Sequence, residues 1–166
     1  MKKLLKEVIL LTIIAAVAAF TINSISPKGI PLKGTWYDNR RQIKLDIPPS
    51  YDAETDSLLT MQEAFMLWKN DAVFIDTREP DEYCEGHIKG AINLPFEEWD
   101  DWWPEVEPYL SPDKNIVCYC SGLDCELSLY AARELKVIGY PNAYIFFGGF
   151  YTWLEYDLPW EYENEE

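Results

Sequence analysis

Cys118, Cys120 and Cys125 fall within eight residues of one another, and the remaining cysteine is Cys84. The segment Val117-Cys118-Tyr119-Cys120-Ser121-Gly122-Leu123-Asp124-Cys125-Glu126-Leu127-Ser128 reads as a strand, a tight loop and a helix start. A cysteine where such a strand ends faces loop N–H groups and the first turn of the helix. Those dipoles lower a thiol pKa and can cradle an anionic sulfur species. Cys120 is therefore the candidate nucleophile, and the backbone of Ser121, Gly122, Leu123, Asp124, Cys125 and Glu126 is its candidate anion cradle. The competing reading makes Cys120 a small buried residue. Cys118, one strand alternation away, points to the same face but deeper, which suits core packing. Two other chemistries fail on spacing. Cys-x-Cys-x4-Cys lacks the usual pairing of thiolate zinc ligands, and the single histidine, His87, forbids a two-His site, so no metal is expected. A Cys-x5-Arg phosphate loop is excluded because position 126 is Glu.

The elements that must hold this loop follow from composition and pattern. A chain of 166 residues with 48% apolar and 15% aromatic content builds one globular domain with a tail, which excludes disorder and coiled coil. Its net charge of -15 divides unevenly: residues 1–50 carry eight Lys/Arg against three Asp/Glu, and residues 51–166 carry six against twenty-six. So acidic a domain will not bind nucleic acid through phosphates. The basic start Met1-Lys2-Lys3 and the uncharged run from Val8 to Ile22 predict a hydrophobic helix over residues 1–25. It reads as an uncleaved anchor, because Phe20 and Ile22 carry the apolar run past the small-residue site at Ala16-Val17-Ala18. Membrane contact through residues 4–22 and an extracytoplasmic domain are the resulting expectations.

Residues 26–56, with Pro27, Pro31, Pro48 and Pro49, read as an extended connector. The folded domain is expected over residues 57–158, and an acidic, solvated tail over 159–166. Within the domain, Thr60 and Glu63 form a capping box before a helix to Asn70. Residues 71–76, 91–94, 116–120 and 143–146 read as strands. Residues 97–110 read as two short helical pieces broken at Pro104, and 125–138 as a helix closed by Gly139. Strand and helix in alternation predict an α/β fold with a largely parallel sheet flanked by helices, whose ligand sits at the strands' carboxyl ends. The aromatic-acidic set Trp99, Asp100, Asp101, Trp102, Trp103, Trp153 and Trp160 reads as cover for the core.

Four ordered motifs carry a resemblance. They are Phe74-Ile75-Asp76-Thr77-Arg78-Glu79 with Glu82-Tyr83; Gly86-His87-Ile88-Lys89-Gly90-Ala91-Ile92-Asn93-Leu94-Pro95; Val117-Cys118-Tyr119-Cys120; and Gly148-Gly149-Phe150 with Trp153. Together they resemble the landmarks of rhodanese-like (sulfurtransferase) domains from about Leu59 to Glu155. The resemblance implies that Cys120 takes a sulfane sulfur from a donor, holds it as a persulfide in the amide-lined loop and passes it to a thiol acceptor, small molecule or protein. It implies no cofactor, structural roles for His87, Asp76 and Arg78, and packing for Cys84.

The departures concern substrate. Active members commonly carry Arg or Lys in the loop, whereas this loop carries Asp124 and Glu126 and no base. Like charges oppose a dianion, so persulfide, polysulfide or protein-borne sulfur is a better donor than thiosulfate. Cys125 adds a second possibility. It can attack a Cys120 persulfide, release sulfide and leave a Cys120–Cys125 disulfide, or it can be inert packing. The rivals to a sulfurtransferase are thus a non-catalytic binding module on the same fold and a thiol-disulfide protein using Cys120 and Cys125.

Overall fold

The β-branched and aromatic runs become a four-stranded parallel sheet in the computed structural model, which describes residues 2–25, 47–122 and 125–163. In chain order the elements are α1 (Lys2–Ile25), α2 (Met61–Lys69), β1 (Val73–Asp76), α3 (Pro80–Glu85), β2 (His87–Ile88), β3 (Ile92–Asn93), α4 (Trp99–Val106), β4 (Ile116–Tyr119), α5 (Leu127–Val137), β5 (Ala143–Phe146), α6 (Gly149–Glu155) and β6 (Trp160–Glu161). The sheet order is β3-β1-β4-β5. Its register places Ile75 beside Cys118 and Cys118 beside Ile145, so the cysteine strand is central.

Strand alternation divides the core into two layers. Ile75, Ile116, Cys118 and Ile145 pack with Leu129, Ala132 and Leu135 of α5 and Val106 of α4. Phe74, Val117, Tyr119 and Phe146 pack on the other face with Ala64 of α2 and Phe150 and Trp153 of α6. Trp153 and Phe74 are almost fully buried, and each side chain of this kind contributes roughly 1.5–3 kcal/mol on burial. Trp99, Trp102 and Trp103 lie against the first layer, as core cover. The capping box starts α2: the Thr60 N–H donates to Glu63 Oε2 at 2.8 Å, and the Glu63 N–H donates to Thr60 Oγ1 at 3.3 Å.

Several elements differ from expectation. The part of the connector at residues 47–56 is fastened to α5: Arg133 forms two hydrogen bonds to the buried Asp56 carboxylate, and its guanidinium also donates to Ser50 O at 2.7 Å. The rest of the connector, residues 26–46, lies outside the described residues. Pro104 does not break its helix. It removes only the bond that would reach back to Asp100, and α4 continues to Val106 between two 3-10 turns, Phe96–Glu98 and Glu107–Tyr109. The expected solvated tail instead supplies β6, antiparallel to β2 in the register His87↔Glu161, and the Glu163 N–H donates to Cys84 O at 3.1 Å. Residues 164–166 lie outside the described residues.

By itself, α1 is a long helix containing one stretch, Leu5–Asn23, long and apolar enough by length and composition to cross a membrane. At ~1.5 Å per residue its 19 residues reach roughly 28 Å, close to a hydrocarbon core of ~30 Å.

Candidate functional site

Four parts of the fold converge on the loop after β4. The end of the strand is fixed first: the Thr77 N–H and hydroxyl both donate to Tyr119 O, at 2.9 and 3.0 Å. The next two carbonyls are held by the start of α6. Phe150 N–H donates to Cys120 O at 2.8 Å, and Tyr151 N–H donates to Ser121 O at 3.1 Å. Gly149 makes this approach possible. It has φ +61, and a Cβ there would stand 2.5 Å from Cys120 O and 2.6 Å from Gly122 N. A third tie comes from α3, where the Ser121 hydroxyl donates to Glu82 Oε1 at 3.1 Å. The loop then closes on itself, with the Cys125 N–H donating to Gly122 O at 3.0 Å, and α5 begins.

Cys120 and Cys125 are joined in a disulfide, with their Cα atoms 6.3 Å apart, within the usual range for such a bond. Cys120 is fully buried and Cys125 half-buried. Around Cys120 Sγ lie the Cys125 carbonyl oxygen at 3.1 Å, the Gly122 carbonyl oxygen at 4.0 Å and Ser128 Oγ at 3.9 Å. In this oxidised form the sulfur carries no charge, and carbonyl oxygens approach it. The Cys125 N–H, one member of the expected amide cradle, is used by Gly122 O. Leu123 and Asp124, two further members, lie outside the described residues. Glu126 is engaged elsewhere: its Oε2 accepts from the Tyr130 and Ser50 hydroxyls, both at 2.7 Å. Those two bonds, Tyr130 first, hold its carboxyl below the usual glutamate range.

The remaining cysteines separate by environment. Cys118 sits in the first core layer, and burial pushes its thiol far up. Cys84 packs at the margin of the second layer, with Sγ 3.8 Å from Glu163 Oε2. Asp76 and Arg78 form a buried ion pair, the Arg78 guanidinium also donates to Gly86 O at 2.7 Å, and it lies over the Phe150 ring at 4.7 Å. This arrangement ties β1, α3 and α6 together beneath the loop. His87 is buried and stacked on Tyr83 at 3.8 Å; its Nδ1–H donates to Tyr83 O at 2.9 Å, and Nε2 lies 3.7 Å from Glu161 Oε1. Among the described residues no group of three or more His, Cys, Asp or Glu side chains is arranged to hold a metal ion.

Sequence reasoning missed Glu82 as a neighbour of the sulfur loop, since it lies 39 positions from Ser121. The only signal was its place in the first of the four motifs. Glu79, on the same segment, has its carboxyl pushed up by desolvation and then by the charges of Glu98, Glu97, Glu82 and Asp81. The acids near α3 therefore repel one another.

A parallel α/β sheet whose inner strand delivers Cys120 into a loop held by α3 and α6 is the architecture the family comparison must match. The rhodanese-like domain model matches residues 63–156, more than half of the chain, and the chain belongs to that family. Among solved structures, a rhodanese-related protein from Thermoplasma volcanium is 26% identical, with a TM-score of 0.53, over 63% of this chain and 97% of that one. A thiosulfate sulfurtransferase from Pseudomonas aeruginosa, 23% identical with a TM-score of 0.53, shares the fold over 68% of this chain and 21% of that one. Among curated proteins, a tRNA uridine(34) hydroxylase from Salmonella agona is 35% identical over 106 residues, 61% of this chain. An HTH-type transcriptional regulator from Mycobacterium tuberculosis is 40% identical over 69 residues, 42% of this chain. The match covers 29% of the length of each of these two curated relatives.

Proposed function

We propose that this domain is a sulfurtransferase in which Cys120 carries a sulfane sulfur and Cys125 resolves it. In the loading step the Cys120 thiolate attacks the outer sulfur of a persulfide donor R–S–SH, the donor S–S bond breaks, and RS⁻ leaves as Cys120–S–SH forms. A thiolate acceptor then takes the outer sulfur and returns Cys120 to its thiolate. Alternatively the Cys125 thiolate attacks Cys120 Sγ, expels HS⁻ and leaves the Cys120–Cys125 disulfide, which an external dithiol reduces. The observation that carries this reading is the pairing of the two cysteines across the loop at the end of β4. The start of α5 beside Cys125 favours thiolate there, since a helix N-terminus stabilises negative charge. The donor is a persulfide, polysulfide or protein-borne sulfur rather than thiosulfate, because the loop and the neighbouring Glu82 supply acids and no base. The domain is tethered by residues 4–22, a reading supported by the apolar Leu5–Asn23 stretch, and we place it on the extracytoplasmic side because a very short basic head precedes a long acidic chain; protease accessibility in sealed vesicles tests the side.

The test of the chemistry is intact mass. The fully reduced chain, freed of reductant, is mixed with cysteine persulfide. Cys125→Ser should gain one sulfur and keep it; wild type should release sulfide and end as the disulfide; Cys120→Ser should do neither. If Cys125→Ser gains no sulfur, the sulfurtransferase reading fails. The disulfide also favours a second reading, a thiol-disulfide protein. That reading predicts disulfide exchange with external dithiols and no sulfur gain in any variant.

A further inference from the structure

Ser50 reaches across 76 positions to the residue that follows Cys125. Its hydroxyl donates to Glu126 Oε2 at 2.7 Å, and Glu126 is the N-cap residue of α5. The carboxylate is engaged by that bond and by the one from the Tyr130 hydroxyl, so Glu126 makes no side-chain capping bond to its own helix. A helix start without such a bond is less stable and opens more readily. Cys125 stands one residue before it and moves with it. The bond from Tyr130 joins α5 to itself and cannot fix where its first turn lies. The bond from Ser50 joins that turn to a different segment of the chain.

That segment is a firm reference. Tyr51, beside Ser50, packs edge-on against the buried Phe147 ring with centroids 6.2 Å apart, and its N–H donates to Pro48 O at 3.0 Å. Six residues on, Ser57 O accepts from the Ile145 N–H of β5 at 2.8 Å. Strand β5 lies beside β4, the strand that leads into Cys120. The Ser50 bond therefore refers Cys125 to the same frame that carries Cys120. Holding two reacting groups on one frame raises their effective concentration. We propose that Ser50 is a positioning residue for the Cys120–Cys125 couple, holding Cys125 through Glu126 so that closure of the disulfide is favoured. In the sulfurtransferase reading, the same hold speeds the attack of Cys125 on the Cys120 persulfide, and that part of the proposal rests on that reading. The positioning itself rests on the disulfide alone.

The test is the equilibrium of the full chain, in neutral-detergent micelles, with graded mixtures of reduced and oxidised dithiothreitol. Two electrons and two protons pass from dithiothreitol to the protein disulfide, giving two protein thiols and the cyclic disulfide of the reagent. After acid quenching and alkylation, fragment-ion mass spectrometry reports Cys120 and Cys125 separately from Cys118. Ser50→Ala should make the disulfide about threefold to tenfold easier to reduce, as loss of one partly exposed bond to a carboxylate supplies, and so raise the potential by about 15–30 mV. Lys136 donates to Thr55 O at 2.9 Å near the other end of α5, so Lys136→Gln loosens the same segment away from Cys125 and should leave the potential as in wild type. In a Glu126→Ala background, Ser50→Ala should add nothing further, because its effect passes through that carboxylate. The proposal is overturned if Ser50→Ala shifts the equilibrium less than about threefold, if Lys136→Gln shifts it as far, or if Ser50→Ala acts as strongly in the Glu126→Ala background. Sulfur gain by Cys125→Ser is a separate readout. Its absence defeats the sulfurtransferase reading and leaves the positioning standing, whereas sulfur gain with an unmoved Ser50→Ala potential defeats the positioning alone.

Discussion

Replacing Gly149 with Ala should detach the sulfur loop from α6, and the size of the effect can be worked from the backbone. The residue has φ +61, a conformation that costs an L-residue about 1–2 kcal/mol. The added Cβ would also stand 2.5 Å from Cys120 O, 2.6 Å from Gly122 N and 2.7 Å from the Ser121 carbonyl carbon. All three are backbone atoms, so no side-chain rotation relieves the overlap and the loop must move. Moving it weakens the bonds from Phe150 N–H to Cys120 O and from Tyr151 N–H to Ser121 O, each worth about 0.5–1.5 kcal/mol net. The expected total is about 2–5 kcal/mol, which lowers Tm by on the order of 10 °C for a domain of this size. Gly90 supplies the control: it has φ +79 but nothing within 4 Å of an added methyl, so Gly90→Ala should show the backbone cost alone. The assay is thermal unfolding of both variants by tryptophan fluorescence in the same neutral detergent, with sulfur gain by intact mass after reduction. If Gly149→Ala costs no more than Gly90→Ala and loads sulfur at the wild-type rate, the argument that Gly149 seats the loop is wrong.

Three further outcomes are expected. Arg133 holds the Asp56 carboxyl below its ordinary range; the folded state then binds fewer protons than the unfolded one, so this stabilisation is present above the unfolded pKa of about 3.9 and is lost as pH falls through the depressed folded value. Urea midpoints at pH 6, 5, 4 and 3 should therefore fall less steeply in Asp56→Asn than in wild type, and equal slopes would refute the assignment. For Glu82→Gln, removing one charge about 7 Å from an incoming dianion in water-like surroundings is worth about 1 kcal/mol, so thiosulfate loading of Cys120 should quicken about fivefold while loading from a neutral trisulfide stays within about twofold. Equal acceleration with both donors would show that the charge is not what matters. Iodoacetamide on the native oxidised chain should mark Cys84 and leave Cys118 untouched, because Cys118 is fully buried with its thiol pushed far up. Cys120 and Cys125 should become reactive only after reduction, as peptide mass spectrometry would show.

What could be read from the sequence was whatever repeats locally. The strands at Val73–Asp76, Ile116–Tyr119 and Ala143–Phe146 are runs of β-branched and aromatic residues, and α2 announces itself through Thr60 and Glu63. The strand-loop-helix around Cys120 was legible for the same reason. The pair β2 and β6 was not: each has two residues, and their register joins His87 to Glu161 across the length of the domain, so neither shows a period. α3 was missed because six residues starting at Pro80 are too few for a helical pattern. The prolines at 48 and 49 made residues 47–56 look like free connector, while the contact that docks them, Asp56 with Arg133, spans 77 positions. For β6 and for residues 47–56 a long-range pairing overrode a correct reading of local composition.

The same distinction relocates the acidity of the site. By sequence position alone, Asp124 and Glu126 would set the charge at the sulfur loop because they are inside it. In the fold, Glu126 commits its carboxylate to Ser50 and Tyr130, where it fastens residue 50 to α5. Among the described residues, the acid bonded to the loop beside the nucleophile is Glu82, brought there by α3 and accepting from the Ser121 hydroxyl. Glu82 also adds to the repulsion felt at Glu79, and its charge acts on the Arg78 guanidinium as well. In the proposed reaction, discrimination against a dianionic donor thus draws on a helix outside the loop as well as on the loop's own acids. It follows that opening the disulfide adds the Cys120 thiolate charge beside that of Glu82, so a dianionic donor meets more negative charge in the reduced loop, and Glu82→Gln should relieve only the part that α3 supplies.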